Sequence, residues 1–311
     1  MRAIQINAFG GPEVIELNDD AKKPDLKPGQ VMVKVHSASL NPVDSMIRMG
    51  YAQKMMPLPF PITLGGDFSG KIFELGADVK GFKVGDEVYG TAGPFRGGTG
   101  SFAEFLVTNN ANIAKKPVSI NITNAAAIPL VGTCALQAIE EDLDIKKGDK
   151  ILIRGGGGGI GSIAIQLAKL RGSHVATTVS KNDMDYAKSL GADEVYDYKE
   201  QDVSEILKDY DAVFETARAD DIDKLLNVLK KGGKFISVTG TPDKEKAKQH
   251  DVTIIPFMSK ATKAELDRLS KLIDSGKLKI RVAKTFAFPE IKEAFSYFET
   301  EHPRGKVVLS M

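Results

Sequence analysis

Lys147-Gly148-Asp149-Lys150-Ile151-Leu152-Ile153-Arg154-Gly155-Gly156-Gly157-Gly158-Gly159-Ile160-Gly161-Ser162-Ile163-Ala164-Ile165-Gln166-Leu167-Ala168-Lys169 is the stretch whose reading decides the fold. Ile151 to Ile153 is a short apolar run, an unbroken run of glycines follows, and Ile163, Ile165, Leu167, Ala168 and Leu170 then supply an apolar helical face closed by Lys169 and Arg171. That is strand, tight turn, helix. Gly155, Gly158 and Gly161 are spaced G-x-x-G-x-x-G, with G-x-G-x-x-G overlapping from Gly156, so the amides around Gly158, Gly159, Ile160 and Gly161 can meet a pyrophosphate at a helix N-terminus. A second strand, His174 to Val179, closes a βαβ unit. A flexible linker would lack the apolar runs on both sides.

The end of that second strand bears on cofactor choice. An NAD site carries Asp or Glu about twenty residues past the turn, whereas the chain here reads Thr178-Val179-Ser180-Lys181-Asn182. A hydroxyl and an ammonium suit a 2′-phosphate, which favours NADPH. Ser180 also fits an N-cap, with Asp183 completing a weak capping box.

Outward from this unit, 311 residues exceed one ordinary domain, and 42% hydrophobic with 27% charged residues is average for a globular chain. Two domains are expected. The 42 basic and 41 acidic residues are interspersed and leave a net charge of +1, which offers no field for nucleic acid or an anionic membrane. Met1 to Gly10 lacks a signal-peptide pattern, and nowhere do roughly eighteen apolar residues run together, so a cytoplasmic location is expected. The single cysteine, Cys134, rules out an internal disulfide and a cysteine-based structural zinc site.

Residues 1 to about 110 read as β, with Val31, Val33 and Val35 alternating with polar neighbours and further strands at Phe68–Leu75 and Phe102–Val107. A compact barrel follows. From Ser119 the pattern changes. Ile128 to Glu141 is an apolar helical stretch, and strands at Ile151–Arg154, His174–Val179, Ala212–Glu215, Lys234–Val238 and Val252–Phe257 alternate with helices, as in a doubly wound parallel sheet. A helix from Asp220 to Lys231 is expected to end at Gly232-Gly233. Val252 to Phe257 carries few charges and reads as a sheet edge covered by a second subunit in a homodimer. The tail from Lys284 to Met311 reads as strand, short helix and strand returning to the first domain.

Ser39-Leu40-Asn41-Pro42-Val43-Asp44, Leu64-Gly65-Gly66-Asp67-Phe68-Ser69-Gly70, Val84-Gly85-Asp86-Glu87-Val88-Tyr89-Gly90, Ala126-Ala127-Ile128-Pro129-Leu130-Val131-Gly132-Thr133 and Gly305-Lys306-Val307-Val308 accompany the glycine turn. With these motifs the chain resembles the zinc-independent quinone oxidoreductase branch of the medium-chain dehydrogenase/reductase family, and is similar to its plant-type alkenal and enone reductases. The resemblance covers nearly the whole length. It implies an α/β protein with a GroES-like β-barrel catalytic domain (1–118 and 281–311) and a Rossmann doubly wound domain (119–280). It also implies NADPH in the cleft between them and hydride transfer to a small electron-poor acceptor, quinone or enone. Where zinc relatives carry a ligand cysteine and a Gly-His-Glu, this chain has Asn41 and Gly65-Gly66-Asp67, so no catalytic metal is expected. His36, His174, His250 and His302 show no metal spacing.

Without zinc, hydrogen-bond donors must stabilise charge on the acceptor oxygen. Asn41 is the first candidate, as a donor to substrate or to the nicotinamide ribose, with a helix N-cap as its other reading. Asp44 orients Asn41, holds a ribose hydroxyl or serves the helix dipole. Tyr51 is either a proton source or a packed loop aromatic. Thr133 resembles the family position beside the nicotinamide; Cys134 lacks a sequence partner for nucleophilic work. Tyr198 resembles the tyrosine beside the adenosine phosphate. Thr216, Ala217, Thr239, Gly240 and Thr241 follow later strand ends, and Arg304 and Lys306 are tail cations placed to close over the cofactor. Glu215-Thr216-Ala217-Arg218 departs from the glycine pair that often follows in relatives. A cofactor-binding sensor with little turnover is the competing class, since fold does not prove chemistry.

Overall fold

The computed structural model describes every residue except 52, 54–56, 95, 96, 218–220 and 302. Antiparallel strands open the chain. β1 (Ala3–Ile6) pairs with β2 (Ile15–Asn18) and, among the described residues, with β4 (Ile62–Thr63), while β3 (Gln30–Ser39) is the long central strand. β3 pairs with both β5 (Asp67–Leu75) and β7 (Phe105–Asn109); β5 continues to β6 (Glu87–Thr91), and β6 to β8 (Ile113–Lys115). Val31, Val33 and Val35 are buried, as their alternation with polar residues requires. The strand expected at Phe102 starts only at Phe105, because Phe102 turns fully into the core while its carbonyl accepts from Ile4 N at 2.8 Å.

The glycine stretch opens the second unit. β9 (Lys150–Arg154), β10 (His174–Val179), β11 (Glu194–Asp197), β12 (Tyr210–Glu215), β13 (Leu229–Ser237) and β14 (Thr253–Ile254) form one parallel sheet in the order β11-β10-β9-β12-β13-β14. Counted from β9, that is the 3-2-1-4-5-6 order of a dinucleotide-binding sheet, whose switch point lies between β9 and β12. The helix Gly159–Leu170 lies between β9 and β10 and buries Ile163, Ile165, Leu167 and Ala168. Ile128–Glu141 resolves into the helix Pro129–Leu136 and a π-helical turn, Gln137–Asp142.

One expected helix is not found among the described residues. Within the expected Asp220–Lys231, whose first residue lies outside the described residues, a 3₁₀ turn spans Ile222–Val228, and β13 starts at Leu229 and runs through Gly232-Gly233. Leu229 pairs with Tyr210 of β12, and Gly232, at φ 75°, donates to Asp251 O at 2.7 Å, so the glycines bend a strand where a helix cap was expected. β14 is also shorter than Val252–Phe257 and lies at the sheet edge; Pro256 cannot donate to a ladder.

The tail comes back as expected. β15 (Val282–Ala287) and β16 (Lys306–Ser310) flank the helix Ile291–Thr300, and β16 pairs with β3, giving the seven-stranded sheet β15-β16-β3-β5-β6-β8 with β7 also on β3. Two compact units result, 1–130 with 261–276 and 280–311, and 131–260 with 277–279. Segments 119–130 and 261–276 therefore group with the first unit, whereas the sequence placed them in the second. The helix Lys263–Asp274 is tied there by Tyr89 Oη to Leu266 O at 2.6 Å and Ser119 Oγ to Asp274 Oδ1 at 2.8 Å.

Candidate active site

In the second unit the glycine turn is as tight as the spacing requires. Gly155 takes φ 78°, a conformation open to glycine at little cost, and Gly158 N–H closes onto Gly155 O at 3.0 Å. A β-carbon on Gly156 would stand 2.2 Å from Thr177 Oγ1, and one on Gly161 2.2 Å from Gly155 O. Extended backbone at Gly158 leads into the helix that starts with Gly159, Ile160 and Gly161, whose first-turn amides have no acceptor within the helix and form its positive end. A turn of this shape could cradle a phosphate.

The other second-unit residues singled out from sequence lie at the same strand ends. Thr216 Oγ1 donates to Arg154 O at 2.5 Å, Thr239 Oγ1 to Ala217 O at 3.0 Å and Gly240 N to Ser237 Oγ at 3.1 Å, with Thr241 exposed beside them. Tyr198, half exposed, follows β11 and donates its amide to Val179 O, at the end of β10. Ser180 Oγ donates to Asp183 Oδ2 at 2.8 Å and makes no cap, and Lys181 is exposed. Asp183 went unassigned as a site residue in the sequence, yet it is buried and its carboxylate lies 3.5 Å from where a Gly157 β-carbon would be.

The first unit holds a buried polar cluster around the helix Pro42–Arg48. Asn41, its N-cap residue, is 1% exposed; its Nδ2 donates to Asp67 Oδ2 at 3.0 Å, and its Oδ1 accepts from Lys306 Nζ, which also donates to Leu40 O at 2.6 Å. Asp44 Oδ2 accepts the Asn41 N–H at 2.8 Å, the return arm of a capping box. Lys306, expected as a tail cation at the cofactor, is buried with its ammonium on Asn41 Oδ1 and Leu40 O, and Asn41, expected as a donor to substrate or to the nicotinamide ribose, donates its amide to Asp67. Asp67 stood in a quoted motif but was not recognised as a partner; Leu130 N also donates to it at 3.2 Å.

Burial pushes the Asp44 carboxyl up to about 7, helped by the Asp67 charge and opposed by the Asn41 amide and Lys306. Between its unfolded value near 4 and about 7 the folded state holds the extra proton, so stability falls as pH rises through that window, by at most about 1.4 kcal/mol per unit. Asp44→Asn should therefore flatten the decline in melting temperature between about pH 4.5 and 7. Superimposable pH profiles for the two proteins would remove Asp44 as the titrating group.

Tyr51 is 69% exposed, not packed; Thr133 is fully buried and Arg304 half-buried. Cys134 is buried with its thiol on Ser259 Oγ at 2.9 Å, which fits a structural role. His174 pairs with Glu194 at 2.6 Å and His36 with Ser37; His302 and Arg218 lie outside the described residues.

A family model described as an alcohol dehydrogenase GroES-like domain matches residues 27–118, and one described as zinc-binding dehydrogenase matches 190–309. A mitochondrial NAD(P)H oxidoreductase of Mus musculus is 34% identical across 100% of this chain and 89% of its own length. The chain belongs to the medium-chain dehydrogenase/reductase family. Within it, a chloroplastic NADPH-dependent alkenal/one oxidoreductase of Arabidopsis thaliana is 35% identical over 99% of this chain and 79% of its own. The quinone oxidoreductase structure from Coxiella burnetii superposes with a TM-score of 0.93 at 36% identity, covering 100% of this chain and 99% of that one. The two units are thus the family's GroES-like domain and its Rossmann-type domain. No helix among the described residues is long and apolar enough to cross a membrane, and relatives include proteins named as mitochondrial and chloroplastic.

Proposed function

We propose that this chain is an NADPH-dependent oxidoreductase that reduces a small quinone-type acceptor without zinc. The observation that carries the reading is the glycine cradle at the switch point, with the exposed ammonium of Lys181 just past β10. The first-turn amides from Gly159 to Gly161 would hold the pyrophosphate, and Tyr198 and Lys181 the adenosine end. Thr216, Ala217 and Thr239 to Thr241 would line the other half. When bound, NADPH supplies the hydride. Tyr51 offers a solvent-open hydroxyl as a proton source, while Asn41 and Asp44 set the entry of the helix Pro42–Arg48. Zinc independence is supported by charge: the Lys306 ammonium already sits on Asn41 beside Asp67 and Asp44, and would repel a divalent ion. A cytoplasmic homodimer, paired along the β14 edge, belongs to the same reading.

Reduction of the C=C bond of α,β-unsaturated carbonyls is the second reading, favoured by the alkenal/one oxidoreductase likeness. Stopped-flow NADPH oxidation against quinones and enones, with a strong chelator present, separates the two. Turnover with quinones is expected; oxidation with enones alone selects the second reading, and none with either leaves a cofactor-binding sensor.

Cofactor preference gives a sharper test. With Ser180 committed to Asp183, Lys181 is left to recognise the 2′-phosphate, so NADPH should bind at least about tenfold more tightly than NADH. Lys181→Ala should erase most of that difference and leave NADH affinity unchanged. Equal affinities in the wild type would sink the assignment.

A further inference from the structure

Arg154 and Glu215 end the two strands that flank the switch point and stand opposite each other in the parallel register of β9 and β12. Arg154 Nη1 donates to Glu215 Oε2 at 2.7 Å; the Glu215 side chain is fully buried and that of Arg154 is 18% exposed. The second carboxylate oxygen is also used. Glu215 Oε1 accepts the Ala217 N–H at 2.7 Å, so one carboxylate grips both the guanidinium beside the glycine turn and the backbone two residues beyond its own strand.

The loop is tied back from the other side. Thr216 Oγ1 donates to Arg154 O at 2.5 Å, and Ala217 O accepts from Thr239 Oγ1 at 3.0 Å. A β-carbon on Gly155 would lie 3.0 Å from Thr216 Oγ1 and 3.1 Å from Ala217 Cβ, so this loop is the wall against which the glycine turn is packed. Three strand ends, those of β9, β12 and β13, are thereby linked, the first two by the buried ion pair and the third through the Ala217 carbonyl.

Stability alone gives little reason for such a pair. Burying two charges costs more than burying apolar groups of the same size, and Arg154 Nε is buried with no hydrogen-bond partner among the described residues. A fixed charge geometry is what apolar residues cannot supply. We infer that the Arg154–Glu215 pair is a positioning device: it holds the Thr216-Ala217 loop against Gly155 and so shapes the half of the dinucleotide site remote from the 2′-phosphate. This rests on the NADPH reading above. Neither residue needs to touch the cofactor.

The test compares Arg154→Met/Glu215→Leu, Glu215→Gln and wild type by thermal unfolding and by titration with NADPH and with adenosine 2′,5′-bisphosphate, which carries only the adenosine end. The double variant should melt within about 5 °C of wild type, since an apolar pair replaces the ions and only the half-buried Ala217 amide loses its acceptor. It should nevertheless bind NADPH about tenfold or more weakly, with bisphosphate affinity unchanged within about twofold. Glu215→Gln, which retains an acceptor for the Ala217 amide, should lose less NADPH affinity than the double variant. Wild-type NADPH affinity in a double variant that melts like wild type would overturn the proposal, as would equal losses for both ligands. If the wild type binds neither ligand, the cofactor reading itself is wrong and the proposal goes with it; if only the proposal is wrong, wild type binds both.

Discussion

Gly161→Ala is expected to weaken NADPH binding by about 100-fold or more and to lower folding stability by about 2–4 kcal/mol. Replacing glycine by alanine inside an exposed helix would ordinarily stabilise it by about 1 kcal/mol, so the sign depends on space. At Gly161 there is none. The added carbon would stand 2.2 Å from Gly155 O, 2.8 Å from Gly155 C and 3.0 Å from Gly156 Cα, all backbone atoms that no side-chain rotation can move. Relief requires the helix Gly159–Leu170 to lift off the turn, which would part buried Ile163, Ile165 and Leu167 from their neighbours and carry the first-turn amides away from the phosphate position. Gly157→Ala is the control. Its nearest neighbours, in Asp183, are 3.5 Å away, an ordinary contact, so it should melt within about 2 °C of wild type. Thermal unfolding and cofactor titration of both variants decide the matter; a Gly161→Ala protein with wild-type melting and affinity would refute the close packing assigned to the turn.

The parts of the fold that the sequence disclosed are those set by local pattern. His174–Val179 was bounded correctly because Gly172-Ser173 and Ser180 punctuate a run buried almost throughout, and Pro42–Arg48 because Asn-Pro marks a helix start. Long-range pairing was not legible. Ile222, Leu225, Leu226 and Leu229 fit a helical period as well as a turn followed by a strand, and only the pairing of Leu229 with Tyr210 selects the second. The buried partners of Lys306 were out of reach for the same reason: β16 docks beside β3 and carries it to Leu40, 266 residues away in sequence. Asp67 and Asp183 were likewise visible as letters while their partners were not.

Lys306→Met should cost about 3–5 kcal/mol of folding stability near pH 8, the usual consequence of removing one member of a buried ionic cluster. Lys306 is 5% exposed, its ammonium donates to Leu40 O and Asn41 Oδ1, and it is a cation beside a group in which Asp44 and Asp67 repel each other. Methionine fills similar space but leaves both acceptors without a donor and the carboxylates without compensation. The loss should shrink near pH 5. Asp44, raised to about 7, is then largely protonated in the folded state, and without Lys306 to hold it down its value moves higher still, so the variant regains stability by binding that proton. Adding Asp44→Asn to Lys306→Met should likewise recover a substantial part of the loss near pH 8, a coupling that independent sites would not show. Denaturant unfolding of the single and double variants at both pH values measures each term. A loss below about 1 kcal/mol at both, or strict additivity, would mean that Lys306 is not the counter-ion of this cluster.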